Sequence, residues 1–249
     1  MSDIEAPPTA DCSACPFQET LRPSSRCKPG DVCVQAESGR QIDRFLKRNP
    51  ELAPDYLCDV FWERRAIAVR YVPTDAVLAL IDDEDEVVRR AVAYRLPIEH
   101  LARLRNDPDR EVRITVADRL PVDQLETMAD DEDYLVRAYV AKRLPEGRLF
   151  RMICDPDAHV RKQVAGRLPP ASLGLMAHDA DLQVRRIVAE RMEPDSLVVM
   201  LNDAEWLIRY IAAERAPLPA VRKLACDPVE DVREMVRKRL ALGASRPFS

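Results

Sequence analysis

Residues 107–130 read DPDREVRITVADRLPVDQLETMAD, and this 24-residue pattern recurs through most of the chain. Aspartate stands at the first position of every copy and arginine at the seventh, in seven complete repeats and one partial repeat. The copies begin at Asp59, Asp83, Asp107, Asp131, Asp155, Asp179, Asp203 and Asp227. A fixed period of this kind predicts a solenoid, in which each repeat buries its apolar face against its neighbours.

The spacing within one repeat predicts helix. Apolar residues stand at positions 6, 10 and 14, four residues apart, which fits a helix and contradicts an alternating strand. Aspartate at position 1 reads as the N-cap, with Pro108, Pro156 and Pro228 as first helical residues. Proline at position 15 is expected to end the helix, and the remaining residues allow one short helix, α or 3₁₀. The prediction is an all-α superhelical array without a sheet.

Arginine also stands at position 13 in seven of the eight copies, and the two arginine columns allow two interpretations. Position 7 falls inside the apolar arc of the helix, where an unpaired charge is costly, so the position-1 aspartate of the same or the neighbouring repeat is the expected partner. The alternative is a basic stripe for nucleic acid. From residue 59 onward the chain has 31 Lys and Arg against 34 Asp and Glu. It also has no repeated surface aromatic for stacking bases, so the sequence favours an internal ladder.

The two ends of the array depart from the pattern. The first copy carries Phe61, Arg64 and Tyr71 at positions 3, 6 and 13, as expected where something other than a repeat packs against it. The last copy carries Arg237 where the others have alanine or valine, which predicts the polar face of a terminal cap.

Charge and hydropathy limit the class of protein. The formal net charge of −5 argues against a general polyanion binder. No apolar run approaches the roughly 18–20 residues of a membrane span. The start, MSDIEAPPTADC, lacks the basic and apolar parts of a signal peptide. A cytoplasmic location is expected, where cysteines serve as ligands or buried thiols more often than as disulfides.

The repeat register divides the seven cysteines into two groups. Cys58, Cys154 and Cys226 all stand at position 24 and are expected to be buried or capping thiols. The other four lie within 22 residues ahead of the array. They are Cys12, Cys15, Cys27 and Cys33. So short a segment needs a metal to fold, and four thiolates can hold either one zinc ion or an iron–sulfur cluster. Their spacing leaves both open.

A four-cysteine segment followed by DxDxxVRxxVAxRLPxxxLxxM repeats resembles the leucine-rich repeat variant family. The resemblance implies alternating α and 3₁₀ helices in a right-handed superhelical solenoid, with a [4Fe–4S] cluster on an amino-terminal domain. Cys12, Cys15, Cys27 and Cys33 match the cluster ligands of the family, with one zinc ion as the alternative. The expected organisation has three parts. They are a cluster domain at 1–35, a connecting helix or degenerate repeat at 36–58, and the solenoid at 59–249.

The expected function is that of an iron–sulfur repeat protein acting as a redox-responsive binding scaffold, with a protein partner on the solenoid surface. One alternative is a non-redox interaction scaffold in which zinc or a cluster has only a structural role. The other is a simple electron carrier. Nucleic-acid binding is not favoured, and no membrane association is expected. His100, His159 and His178 stand in different repeat columns and no P-loop, nucleophile elbow or HExxH motif occurs, so an enzyme is not expected.

Overall fold

The computed structural model describes residues 9–244, which contain α-helices, 3₁₀ helices and one isolated β-bridge but no strand. Six α-helices have ten residues each and recur once per repeat: Glu86–Arg95, Arg110–Arg119, Tyr134–Arg143, Ala158–Arg167, Leu182–Arg191 and Trp206–Arg215. The other α-helices are Gly39–Arg48, Trp62–Ala68, Ile98–Leu101, Val122–Leu125, Leu218–Val221 and Glu230–Ala244. The 3₁₀ helices are Pro50–Tyr56, Ala76–Leu80, Ala102–Leu104, Glu126–Met128, Glu146–Met152, Pro170–Met176, Pro194–Asn202 and Arg222–Cys226. The predicted all-α repeat fold is confirmed.

The chain divides at Pro121 into two compact units, residues 1–121 and 122–249. Within the described residues, no helix combines the length and the apolar character needed to cross a membrane.

Each of the six ten-residue helices begins at position 4 of its repeat, and in five of them the aspartate at position 3 is the N-cap. The sixth has Glu205 at that position, without a side-chain cap. Asp85 Oδ1 accepts a hydrogen bond from the Val87 amide at 2.9 Å, and the same cap recurs in the next four repeats. The prediction that the position-1 aspartate caps the helix is therefore wrong. So is the prediction that proline follows as the first helical residue, because Pro108, Pro156 and Pro228 all lie two residues ahead of their helices.

The helix ends where the proline column predicts. In the third repeat the helix stops at Arg119, Leu120 forms the C-cap and Pro121 follows. A proline cannot continue the helix, so the chain turns into a short helix that completes the repeat. The apolar positions of that repeat are buried, with exposures of 0–3%: Val112, Val116, Ala117, Leu120, Leu125 and Met128.

The position-7 arginines form the predicted ladder. Arg137 donates from Nε and Nη2 to the two carboxylate oxygens of Asp155 in the next repeat, at 2.8 and 3.0 Å. Its Nη1 donates to the carbonyl of Asp131, the first residue of its own repeat, at 2.8 Å. The same bidentate contact is present in six pairs: Arg65–Asp83, Arg89–Asp107, Arg137–Asp155, Arg161–Asp179, Arg185–Asp203 and Arg209–Asp227. The partner aspartate thus belongs to the neighbouring repeat.

The position-13 arginines bind backbone carbonyls. Arg215 donates to the carbonyls of Ala189 and Met192, both at 2.8 Å, at the carboxyl end of the preceding repeat's helix. Arg167 contacts the equivalent carbonyls of its own predecessor at 2.6 and 2.7 Å. These carbonyls have no partner within their helix, and a cation at a helix carboxyl end is electrostatically favourable. Both arginine columns therefore hold neighbouring repeats together.

The last described repeat closes the ladder differently. Arg233 pairs with Glu230 of its own helix, and Arg237 pairs with the same glutamate. Arg237 is exposed, as predicted for a polar terminal cap.

The ladder predicts loss of stability in acid. Burial alone raises the pKa of Asp83 and of Asp179, but the arginine and amide hydrogen bonds outweigh it and hold each pKa below its ordinary value. The stabilisation is therefore complete above the unfolded aspartate pKa of about 4 and is lost as pH falls through the lower folded values. We expect the melting temperature, followed by helical circular dichroism, to stay level from pH 7 to pH 5 and to fall below about pH 4. An unchanged melting temperature at about pH 3 contradicts the prediction.

Candidate metal centre

The four amino-terminal cysteines lie in a segment built from turns, ahead of helix Gly39–Arg48. Cys12 and Cys15 share one turn, in which the Cys15 amide donates to the Cys12 carbonyl at 3.2 Å. Both side chains are partly exposed. The C-x2-C spacing thus holds two thiols on one short loop.

A tight hairpin holds the other two cysteines. Lys28 and Val32 form an antiparallel bridge, with hydrogen bonds of 2.8 and 2.7 Å in the two directions. Pro29 and Gly30 fill the turn between them, and Gly30 has a φ of 74°, which suits glycine at the third position of a type II turn. Cys27 and Cys33 flank the bridge and are both buried. The hairpin therefore sets these two thiols on opposing arms of one loop.

The thiols affect one another electrostatically. Burial raises the pKa of Cys27 to about 11, and the nearby Cys33, Cys15 and Cys12 add to the rise, whereas the Arg22 charge opposes it. None of these four cysteines forms a disulfide. Within the described part of the chain, no three His, Cys, Asp or Glu side chains are placed to hold one metal ion. The effect of Cys33, Cys15 and Cys12 on the Cys27 pKa shows that the four thiols lie near one another, because charge interactions weaken with distance. As a set of four thiolate donors they fit the chemistry of an iron–sulfur cluster.

The cysteine segment is anchored on the helix that follows it. The ring of Phe17 packs on the ring of Phe45, with centroids 5.3 Å apart, and Phe45 is fully buried. Asn49 at the end of the helix is also buried and donates from Nδ2 to the carbonyl of Arg26 at 3.1 Å. The backbone immediately before Cys27 is thereby fixed to a rigid element.

The unusual first repeat contacts this segment, as predicted. Arg64 donates from Nε to the carbonyl of Val34 at 2.8 Å and from Nη2 to the carbonyl of Gln35 at 3.3 Å. It also pairs with Asp59 at 3.1 Å. Because Val34 and Gln35 directly follow Cys33, one arginine connects the cysteine hairpin to the array.

The other two departures serve the same junction. The Tyr71 hydroxyl donates to Asp43 Oδ1 on helix Gly39–Arg48 at 3.0 Å. Burial, and secondly this hydrogen bond, raise the pKa of Tyr71 to about 12. Phe61 lies under the Arg64 guanidinium, 5.5 Å from ring centroid to Cζ.

The remaining cysteines are exposed. The expectation that Cys58, Cys154 and Cys226 are buried is wrong. Position 24 holds aspartate, asparagine or histidine in other copies, and this polar composition was the available signal for a surface position.

A groove on the second unit combines aromatic and charged side chains. Helix Trp206–Arg215 and helix Glu230–Ala244 border a cavity of about 400 Å³ lined by Trp206, Leu207, Tyr210, Asp231, Glu234, Met235 and Lys238. Trp206 is 41% exposed, which is unusual for so large an apolar side chain. Aromatic side chains at a cavity rim are typical of protein-binding surfaces.

The fold and the cysteine segment define a helical repeat protein preceded by a four-cysteine segment, and comparisons with known proteins agree. Residues 8–55 match the family model described as "LRV protein FeS4 cluster". Three stretches match the model "Leucine rich repeat variant", namely residues 87–109, 110–133 and 158–181. A solved structure, titled "A leucine-rich repeat variant with a novel repetitive protein structural motif", is 59% identical. The alignment covers 93% of this chain and 99% of that one, with a TM-score of 0.89.

The chain belongs to the leucine-rich repeat variant family, and its amino-terminal segment is of the iron–sulfur type. A Rhodobacter capsulatus protein, described as "Uncharacterized 27.7 kDa protein in nifB 3'region", is 39% identical over 90 residues. That match spans 36% of each chain. An engineered protein of known structure is 13% identical, with a TM-score of 0.40.

Proposed function

We propose that this protein is a redox-responsive binding scaffold, in which a [4Fe–4S] cluster on Cys12, Cys15, Cys27 and Cys33 controls how the array engages a protein partner. The observation that carries the proposal is the contact of Arg64 with the backbone directly after Cys33. Through this contact a displacement of the cysteine hairpin reaches the first repeat. A cluster supplies one-electron chemistry, and the protein tunes it through hydrogen bonds, nearby charge and burial.

The family match supports a cluster over the alternative of one zinc ion. Four thiolates serve both, but the family model that matches residues 8–55 is an iron–sulfur one. Cys27 and Cys33 are buried while Cys12 and Cys15 are partly exposed, so a group held by all four would lie near the surface. Near-surface placement suits electron exchange.

The array is the partner-binding part of the proposal. The side chains of both arginine columns bind carboxylates or backbone carbonyls of neighbouring repeats. These arginines therefore do not form a repeated basic stripe that nucleic acid could bind. The groove that Trp206, Tyr210 and Met235 line is the candidate surface for a protein partner. The protein is proposed to act without catalysis, in the cytoplasm.

Metal analysis of protein purified without oxygen tests the cofactor. We expect a brown protein with about four irons and matching acid-labile sulfide per chain, whose visible absorbance bleaches on reduction with dithionite. A colourless protein with one zinc per chain would make the segment a structural staple.

Hydrogen exchange tests the coupling. Amides of the first repeat, residues 59–82, are expected to change protection between the oxidised and reduced protein, whereas amides of residues 227–244 do not. Arg64→Met should suppress the change because it removes the contacts to Val34 and Gln35. Arg103→Met is the matched control, since Arg103 is exposed and pairs with Asp82 at the end of the first repeat instead of with the cysteine segment. Identical exchange in both oxidation states contradicts redox control and favours the staple.

A further inference from the structure

Five cations form one exposed basic face on the cysteine segment and the helix that follows it. Two cavities of about 490 and 570 Å³ lie on this face, and both are lined by Arg48 and Asp31. The basic face consists of Arg22, Lys28, Arg44, Lys47 and Arg48. All five side chains are exposed, and Asp31 is the one carboxylate among the lining residues. The face is therefore strongly positive, although the chain as a whole carries a net charge of −5.

These cations differ from the arginines of the array. Among the described residues, Arg22 and Lys47 form no ion pair, and Arg48 makes a single long hydrogen bond to the Ser25 carbonyl at 3.4 Å. Arg44 and Lys28 share the single carboxylate of Asp31. Ion pairs within the protein therefore neutralise little of the positive charge of the five cations.

The basic face borders the metal centre. Cys27 lines the first cavity beside Arg22, Lys28 and Arg48. The Arg22 guanidinium is near enough for its charge to oppose the burial-driven rise in the Cys27 pKa. Anything bound on this face therefore lies next to a cluster ligand.

We infer that the basic face docks the acidic surface of a one-electron carrier protein and brings that carrier's cofactor beside Cys27. The inference rests on the proposed function, since it needs a redox-active cluster. In the complex the carrier's reduced cofactor loses one electron, the cluster gains it, and no covalent bond forms or breaks.

Charge and size favour a protein partner over nucleic acid. Residues 9–58 contain seven basic and seven acidic residues, and five of the basic ones stand on the face. The rest of this stretch therefore offers a long polyanion no excess of positive charge. Interfaces between electron-transfer partners are small and weak, typically below about 1,200 Å². A compact cluster of cations suits such an encounter, because complementary charge raises the association rate.

Binding of acidic carriers to the cluster-loaded protein tests the inference. The probes are an acidic plant-type [2Fe–2S] ferredoxin and an acidic flavodoxin, titrated at roughly 20 mM and roughly 300 mM salt. We expect both to bind at low salt and to weaken by about tenfold or more at high salt. Arg44→Glu combined with Lys47→Glu should weaken low-salt binding by a similar factor, with an unchanged visible spectrum.

A second double variant controls for net charge. Arg222→Glu with Lys223→Glu reverses the same two residue types at exposed positions of the array and should leave binding unchanged. The inference is overturned if neither carrier binds, if both double variants weaken binding equally, or if a single-stranded or duplex oligonucleotide binds the face in preference to the carriers. Measuring iron and sulfide content before mixing separates the two proposals. If the cluster is missing, the proposed function is wrong. If the cluster is intact but no carrier binds, only this inference is wrong.

Discussion

Replacing Cys27 by serine is expected to abolish the iron–sulfur chromophore, with iron falling from about four per chain to background. Cys27 is 8% exposed, and burial together with the three neighbouring thiols raises its pKa to about 11. Its site thus disfavours an uncompensated negative charge, and a bound metal is what stabilises the thiolate there. A serine hydroxyl is a harder and much weaker donor for this metal.

Loss of the cluster should also loosen the segment around it. Turns and a single β-bridge make up residues 9–38. Their apolar anchors are Phe17 on Phe45 and the buried side chains of Val32, Val34 and Ala36, a small core for so many residues. Metal-binding free energy is folding free energy in such a segment, so we expect rapid hydrogen exchange there in Cys27→Ser.

Cys154→Ser is the matched control for the chromophore. Cys154 is exposed, stands at position 24 of a repeat and belongs to the other unit of the chain. It should keep the full visible spectrum and iron content. Retention of the chromophore in Cys27→Ser, or its loss in Cys154→Ser, would show that the ligand set is wrong.

The repeat period and apolar spacing were enough to predict the helices and to name the position-1 aspartate as the partner of the position-7 arginine. They assigned the helix N-cap to the wrong aspartate. Aspartate at a helix start is a normal cap, and both positions 1 and 3 carry it in most copies. The structure separates the two, because Asp155 binds Arg137 of the preceding repeat while Asp157 caps the helix. The sequence left open whether this partner lies in the same or the neighbouring repeat, because a contact between residues 18 apart leaves no local signal.

The partners of the position-13 column were equally hidden. Arg215 binds main-chain carbonyls, and an acceptor that every residue possesses carries no residue-type pattern.

For the candidate metal centre, residue type and spacing selected the four cysteines, and their role as ligands stays a prediction. The irregular first repeat also predicted a junction at Arg64, although the carbonyl acceptors Val34 and Gln35 carry no side-chain pattern. The basic face was missed because its members are spread from Arg22 to Arg48 and are balanced by carboxylates along the sequence. Only the fold gathers the cations beside Cys27 and leaves Asp31 as the one carboxylate that lines the two cavities.

Arg137→Leu is expected to lower the free energy of unfolding by about 3–5 kcal/mol, the usual cost of breaking a buried ion pair by removing one partner. The Asp155 side chain is only 5% exposed and would lose both guanidinium hydrogen bonds. The carbonyls of Asp131 and Glu132 lose their donor as well. For a chain of this size the melting temperature should fall by roughly 6–20 °C.

Two further variants make the ladder falsifiable. Arg186→Leu removes an exposed arginine whose partner is Glu190 four residues on, and should change stability by no more than about 0.5 kcal/mol. Arg137→Leu combined with Asp155→Leu removes both charges and should recover part of the loss, because no unpaired carboxylate stays buried. If Arg137→Leu melts like the parent protein but loses affinity for a partner, the arginine column is a binding surface and not a ladder. If the double variant is as unstable as the sum of its single variants, Arg137 and Asp155 do not act as a pair.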